Sequence, residues 1–172
     1  MENTVEYIVC SAYKLPDDYM FPNIEKMNKA LVAHKVVTED EKPFTDVRNM
    51  YAEAYRGIFH MITGWRHQDI VWKYGKDLCK SQNSGFMTSK ARFVDRQEGM
   101  KIAFIAGQVD FKNAVLDRQD ANDDFWKRID EEVKNGKEEK WSVAQRKLIA
   151  ENVKTWITLY SEDILSGYLP YN

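Results

Sequence analysis

Residues 85–108 read GFMTSKARFVDRQEGMKIAFIAGQ and constrain the fold more than any other stretch, because they join a polar, basic turn to an amphipathic helix carrying its own start signal. Asp95 stands where a helix N-cap belongs and Glu98 follows three residues later, a D-x-x-E variant of the capping box. Met100, Ala103, Phe104 and Gly107 then recur at i, i+3, i+4 and i+7, so the helix is expected to bury one face and turn Arg96, Gln97 and Lys101 outward. Such a corner favours anions, since the helix dipole and free amides face the same way and guanidinium forks match phosphate. The same pattern also serves as plain scaffold.

The rest of the chain reads as α+β, a small antiparallel sheet flanked by helices with additional helical insertions. Val5 to Tyr13 is rich in β-branched and aromatic residues and ends before Leu15-Pro16, as a strand closed by a turn does. Gly57 to Thr63 alternates as a second strand, and Gly64-Trp65-Arg66-His67 turns into a helix that Asp69 is expected to cap. An Arg66-His67 pair at such a turn suits a diphosphate or ribose, and equally suits surface hydrogen bonds. Helices are expected from Pro22 past His34, with His34 packed, and from Pro43 to Ala54. Another is expected from Asp123 or Asp124 to Gly136, as part of a charged helical hairpin. The last opens on the Ser142/Gln145 capping box and carries Ile149, Val153, Trp156, Ile157 and Tyr160 on one face.

The chain's 172 residues suit one domain, residues 1–172, since a domain takes about 100 to 200 residues. Core segments fall at 4–13, 57–79, 84–109 and 155–166, and the helical insertions at 17–55 and 111–154. A net charge of −2 argues against a general DNA or RNA binder, which shows a basic stripe. Cys10 and Cys79 lie far apart with no zinc spacing, so both read as reduced and buried, and no metal or cofactor is expected. There is no apolar run of about 18 residues and no leader-like N-terminus, so no membrane contact is expected. Phosphate-loop, dinucleotide, zincin and nucleophile-elbow motifs are absent, and adjacent carboxylates such as Asp123-Asp124 diverge on a helix, so no catalytic residue is assigned.

Taken in order, Gly64-Trp65-Arg66-His67, Gly85-Phe86-Met87-Thr88-Ser89, Arg92-Phe93-Val94-Asp95-Arg96-Gln97-Glu98, Ala106-Gly107-Gln108 and Leu159-Tyr160-Ser161-Glu162-Asp163 resemble the Thoeris anti-defence family of phage signal sponges. The resemblance covers about a third of the chain. It implies a noncatalytic homo-oligomer in the cytoplasm of the infected bacterial host. Such a protein captures a cyclic ADP-ribose isomer made by TIR-domain immune enzymes, of the glycocyclic kind, and some members also take cyclic oligonucleotides. It further implies ligand contacts at Arg66, His67, Phe86, Thr88, Arg92, Phe93, Asp95 and Arg96, with Arg66 near phosphate, Phe86 under a base and the Arg92 to Arg96 turn beside ribose or phosphate. The helical insertions depart from that family, as does Ile164-Leu165 after Asp163. Two other readings stand beside it: a nucleotide-processing enzyme with His67 and Asp69 as acid and base, and an inhibitor that binds protein through the helical insertions.

Overall fold

A computed structural model describes residues 5–15, 61–90, 92–119 and 123–164. The helices expected within residues 17–55, with His34, lie outside the described residues, as does the start of the Gly57 to Thr63 strand. Four strands form an antiparallel sheet: β1 (Ile8–Lys14), β2 (Met61–Gly64), β3 (Ser84–Thr88) and β4 (Phe93–Asp95), in the order β2-β1-β3-β4. The strand expected from Val5 to Tyr13 thus forms, beginning three residues later than expected and ending at Lys14. Its partner β2 reaches only from Ser11 to Lys14. Further along, Ile8 is completed by a side chain: its N–H donates to Gln108 Oε1 at 2.8 Å, and Gln108 Nε2 donates to Ile8 O at 3.0 Å. Gln108 is fully buried, and these two bonds meet its amide's need for partners.

Helices α1 (His67–Tyr74) and α2 (Arg96–Ile105) pack on the sheet. Asp95 caps α2 as its position predicts, its Oδ1 accepting from Gln97 N at 3.0 Å and Glu98 N at 2.8 Å. Gly107 does not continue the apolar face. With φ of 75° it ends the helix, Gly107 N donating to Phe104 O and Gln108 N to Ala103 O, the paired bonds of a Schellman turn. Met100, Ala103 and Phe104 are fully buried with Ile8, Phe86 and Val94 in one apolar cluster. Each large side chain there contributes roughly 1.5–3 kcal/mol of burial. Close approach depends on Gly99, where a β-carbon would stand 3.2 Å from the Phe86 ring and 3.3 Å from Leu159.

The second half of the chain adds α3 (Phe111–Ala114), β5 (Val115–Arg118), α4 (Asp123–Lys134), α5 (Val143–Glu151) and β6 (Val153–Trp156). The Ser142/Gln145 capping box forms, each side chain bonding the other residue's N–H. The helix it opens stops at Glu151, however, and Val153 to Trp156 pair antiparallel with β5. Residues 111–154 are therefore not all helical as expected. Val153, Thr155 and Trp156 suit a strand once a partner is present, and tertiary pairing overrides their helical spacing. Phe111, Trp126, Trp141 and Ile149 extend the apolar cluster of α2 through this half. The architecture is α+β, and among the described residues no helix is long and apolar enough to cross a membrane.

Candidate ligand-binding corner

Four separated segments meet at the N-terminal end of α2. Ser11, buried in the middle of β1, donates to Trp65 O at 3.1 Å and lies 3.0 Å from Ser161 Oγ, so the turn after β2 and the segment after β6 share one anchor. Leu159 N donates to Arg96 O at 3.1 Å, and Arg96 Nη1 donates back to Leu159 O at 2.8 Å. Arg96 Nε donates to Ser84 Oγ at 3.0 Å. The guanidinium carbon lies 4.9 Å from the centre of the Tyr160 ring and 5.8 Å from that of Phe86. Tyr160 is 54% exposed, so this cation rests on an aromatic ring that solvent also reaches.

His67 sits behind this corner rather than on its surface. Its Nε2 donates to Gly85 O at 2.7 Å, and its ring meets those of Tyr13 and Phe86 edge to face at 5.3 and 5.2 Å. Burial, and then the positive charge of Arg96, push it down to about 4, so the ring is neutral at pH 7. Asp69 does not cap α1 as expected. Arg66 occupies the N-cap position, and the Asp69 carboxylate reaches back to Arg66 N at 3.3 Å. Arg66 and Trp65 stay exposed at the start of that helix.

The eight residues singled out from the sequence therefore divide. His67, Phe86 and Arg96 belong to this corner, with Phe86 fully buried beneath His67 and Arg96, while Arg66 is exposed next to Trp65, whose carbonyl Ser11 anchors. Thr88 and Arg92 lie at the opposite end of β3 around Glu6. Thr88 Oγ1 donates to Glu6 Oε1 at 2.5 Å, while Arg92 Nε and Nη2 grip both carboxylate oxygens at 2.6 and 2.9 Å and its fork reaches Glu98 Oε1 at 3.3 Å. The hydrogen bond from Arg92, the largest influence, holds the Glu6 carboxyl below the usual range. Phe93 lies over Gly85, where a β-carbon would come within 2.6 Å of its ring. Asp95 fills the amide end of α2 with its own carboxylate, so the helix terminus does not offer those amides to an anion.

Sequence reasoning left Trp65, Ser84 and Tyr160 out of the site. Tyr160 carried a signal, since it lies inside the Leu159 to Asp163 motif; Ser84 carried none. Among the described residues no group of three His, Cys, Asp or Glu side chains converges as metal ligands.

Residues 46–128, a little under half of the chain, match the model of a protein family described as phage T4 y16D protein. Among the described residues that stretch takes in β2 through β5 and the first half of α4, and it includes Arg66, His67, Phe86 and Arg96, so this part of the molecule is similar to a phage protein family. No curated protein and no solved structure matches the chain.

Proposed function

We propose that the chain is a phage anti-defence protein that holds a cyclic ADP-ribose-type immune signal, of the glycocyclic kind, and releases it unchanged. The observation that carries this reading is the meeting of Arg96, the exposed Tyr160 ring and the Trp65-Arg66 turn at one corner. Guanidinium groups bind the pyrophosphate, an exposed aromatic face stacks the base, and the corner has no need of a reacting group. The similarity of residues 46–128 to a phage protein family supports the setting, the cytoplasm of an infected bacterium. Work as a homo-oligomer, with a neighbouring subunit closing the corner, and capture of cyclic oligonucleotides as well belong to the same proposal. Sequestering a scarce signal calls for a nanomolar dissociation constant, about −12 kcal/mol. Several charge-assisted bonds and one stacked base supply it.

The test is to mix the chain with a panel of cyclic ADP-ribose isomers and cyclic oligonucleotides, remove unbound ligand, heat-denature the protein and identify what is released. Recovery of one intact isomer is the expected result. A converted product points to the nucleotide-processing enzyme, though His67, neutral and committed through Nε2 to a backbone carbonyl, is a poor acid at pH 7. Nothing retained overturns the sponge. That outcome favours the protein-binding reading, for which exposed Leu116 and Leu148 in the second half of the chain are the supporting observation.

A further inference from the structure

The opposite end of α2, far along the helix from the Arg96 corner, opens into a cleft of 510 Å³. That volume lies in the range of small-molecule sites, roughly 300–1,000 Å³. Three carboxylates line it, Asp110, Glu138 and Glu139, against a single cation, Arg146. Arg146 is itself buried and serves as a strut: Nη1 donates to Phe104 O at 3.0 Å, Nη2 to Glu138 O at 3.2 Å, and the guanidinium stands over the Phe104 and Trp141 rings.

The backbone adds to the negative field. Ile105 and Ala106, the last residue of α2 and its C-cap, both line the cleft, so the cleft faces the negative end of the α2 dipole. Asp110 precedes α3 without capping it through its side chain. Burial, with the charges of Asp110 and Glu139 added, raises the Glu138 carboxyl above its ordinary range even though it accepts from Phe111 N. A positive charge placed in the cleft would favour the ionised form.

The charge is spread rather than focused. Among the described residues no three carboxylate, thiol or imidazole groups converge as a metal ion requires, and Val143 and Trp141 add apolar residues to the lining. We propose that this cleft binds a small organic cation, an aliphatic amine or guanidine, with its charged head on the Asp110 and Glu138 carboxylates and its carbon chain along Trp141 and Val143. The site is independent of the signal-binding corner and does not rest on that reading.

Calorimetric titration of the intact chain with agmatine and putrescine tests it, with 1-butanol as the neutral control and magnesium ion as a metal competitor. The expected result is saturable binding of at least one amine, no heat from butanol, and little competition from magnesium at equal concentration. Asp110→Asn and Glu138→Gln are each expected to weaken binding about tenfold; the amide of the second variant still offers an oxygen to Phe111 N, and circular dichroism confirms the fold. No saturable binding at millimolar amine overturns the proposal. So does equal affinity in Asp110→Asn, which decides the question even if Glu138→Gln fails to fold.

Discussion

Arg92 and Arg96 stand one helical turn apart in sequence, on either side of the same N-cap, and the fold gives them opposite work. Arg92 faces two carboxylates, Glu6 and Glu98, and its charge is spent holding the N-terminal segment to the β3–β4 turn. Arg96 faces a hydroxyl, a carbonyl and two aromatic rings, all neutral, so its charge is positioned without being cancelled. The two ends of β3 thus differ in their electrostatics, and under the proposed function only the Arg96 end is free to take part in recognition. A guanidinium becomes available to a ligand through its neutral partners, and basic sequence alone does not distinguish the two cases.

Gly85 lies between the ends, and substituting it is expected to damage both. An alanine β-carbon would stand 2.1 Å from Val94 O and 2.6 Å from the Phe93 ring, and Gly85 O is also the acceptor for His67. The backbone oxygen cannot move without breaking the β3–β4 pairing, so Gly85→Ala is expected to cost about 3 kcal/mol or more in urea unfolding. A loss under about 1 kcal/mol would mean the two ends are not coupled through β3.

Acid separates the ends by pH window. His67 has a folded value of about 4 against an ordinary 6.5, so the unfolded chain takes up the proton first. Stability from this end is complete above pH 6.5 and is lost as pH falls toward 4, by up to roughly 3 kcal/mol. Glu6 is depressed, so its contribution holds above the ordinary carboxylate value of 4.5 and is lost only as pH falls through its lowered folded value. Melting curves from about pH 7 to 5 should therefore show a destabilisation that largely disappears in His67→Gln, which keeps a donor for Gly85 O but does not titrate. Equal pH slopes in the two proteins would place the histidine in solvent.

At the recognition end, Arg96→Ala is expected to weaken signal capture about a hundredfold, the loss of a charge-assisted contact of roughly 1.5–3 kcal/mol together with the platform under Tyr160. Tyr160→Leu removes the ring, leaves the backbone of the Leu159 to Asp163 segment free to pair, and is expected to cost about tenfold through lost stacking. Equilibrium binding of the released isomer measures both. An Arg96→Ala protein that is folded and binds normally would move the site elsewhere.

Local chemistry was legible in the sequence where a residue and its partner are neighbours. The Asp95 cap and the Ser142/Gln145 box read correctly because each spans only two or three residues. Glu98 shows the limit: it has the right spacing to reach back to the cap, yet it turns to Arg92 instead. The strand at Val153–Trp156 was hidden because its apolar residues also fit helical spacing, and only β5, far back in the chain, decides between them. The corner was half legible for the same reason. Arg66 and Arg96 stand out as residue types, but Arg96 meets Leu159 across 63 positions and Arg92 meets Glu6 across 86. No local pattern announces which arginine finds acid and which finds neutral partners.

The smallest expected effect is the most discriminating. Arg92 and Glu98 are well exposed, and pairs of that kind are each worth at most about 1 kcal/mol; the bidentate grip on the less exposed Glu6 sits near the upper end. Arg92→Ala should therefore lower stability by about 1 kcal/mol, and less at high salt, because screening already weakens exposed pairs. Its effect on signal capture should stay within about threefold, since the guanidinium it removes was neutralised by its own carboxylates. Glu6→Gln supplies the converse. It frees the Arg92 fork while keeping an acceptor for Thr88 Oγ1, and it should mimic Arg92→Ala in stability without affecting capture. If Arg92→Ala instead reduces capture as much as Arg96→Ala does, and Glu6→Gln improves it, both ends of β3 touch the ligand, and the Arg92–Glu6 pair opens when the signal binds.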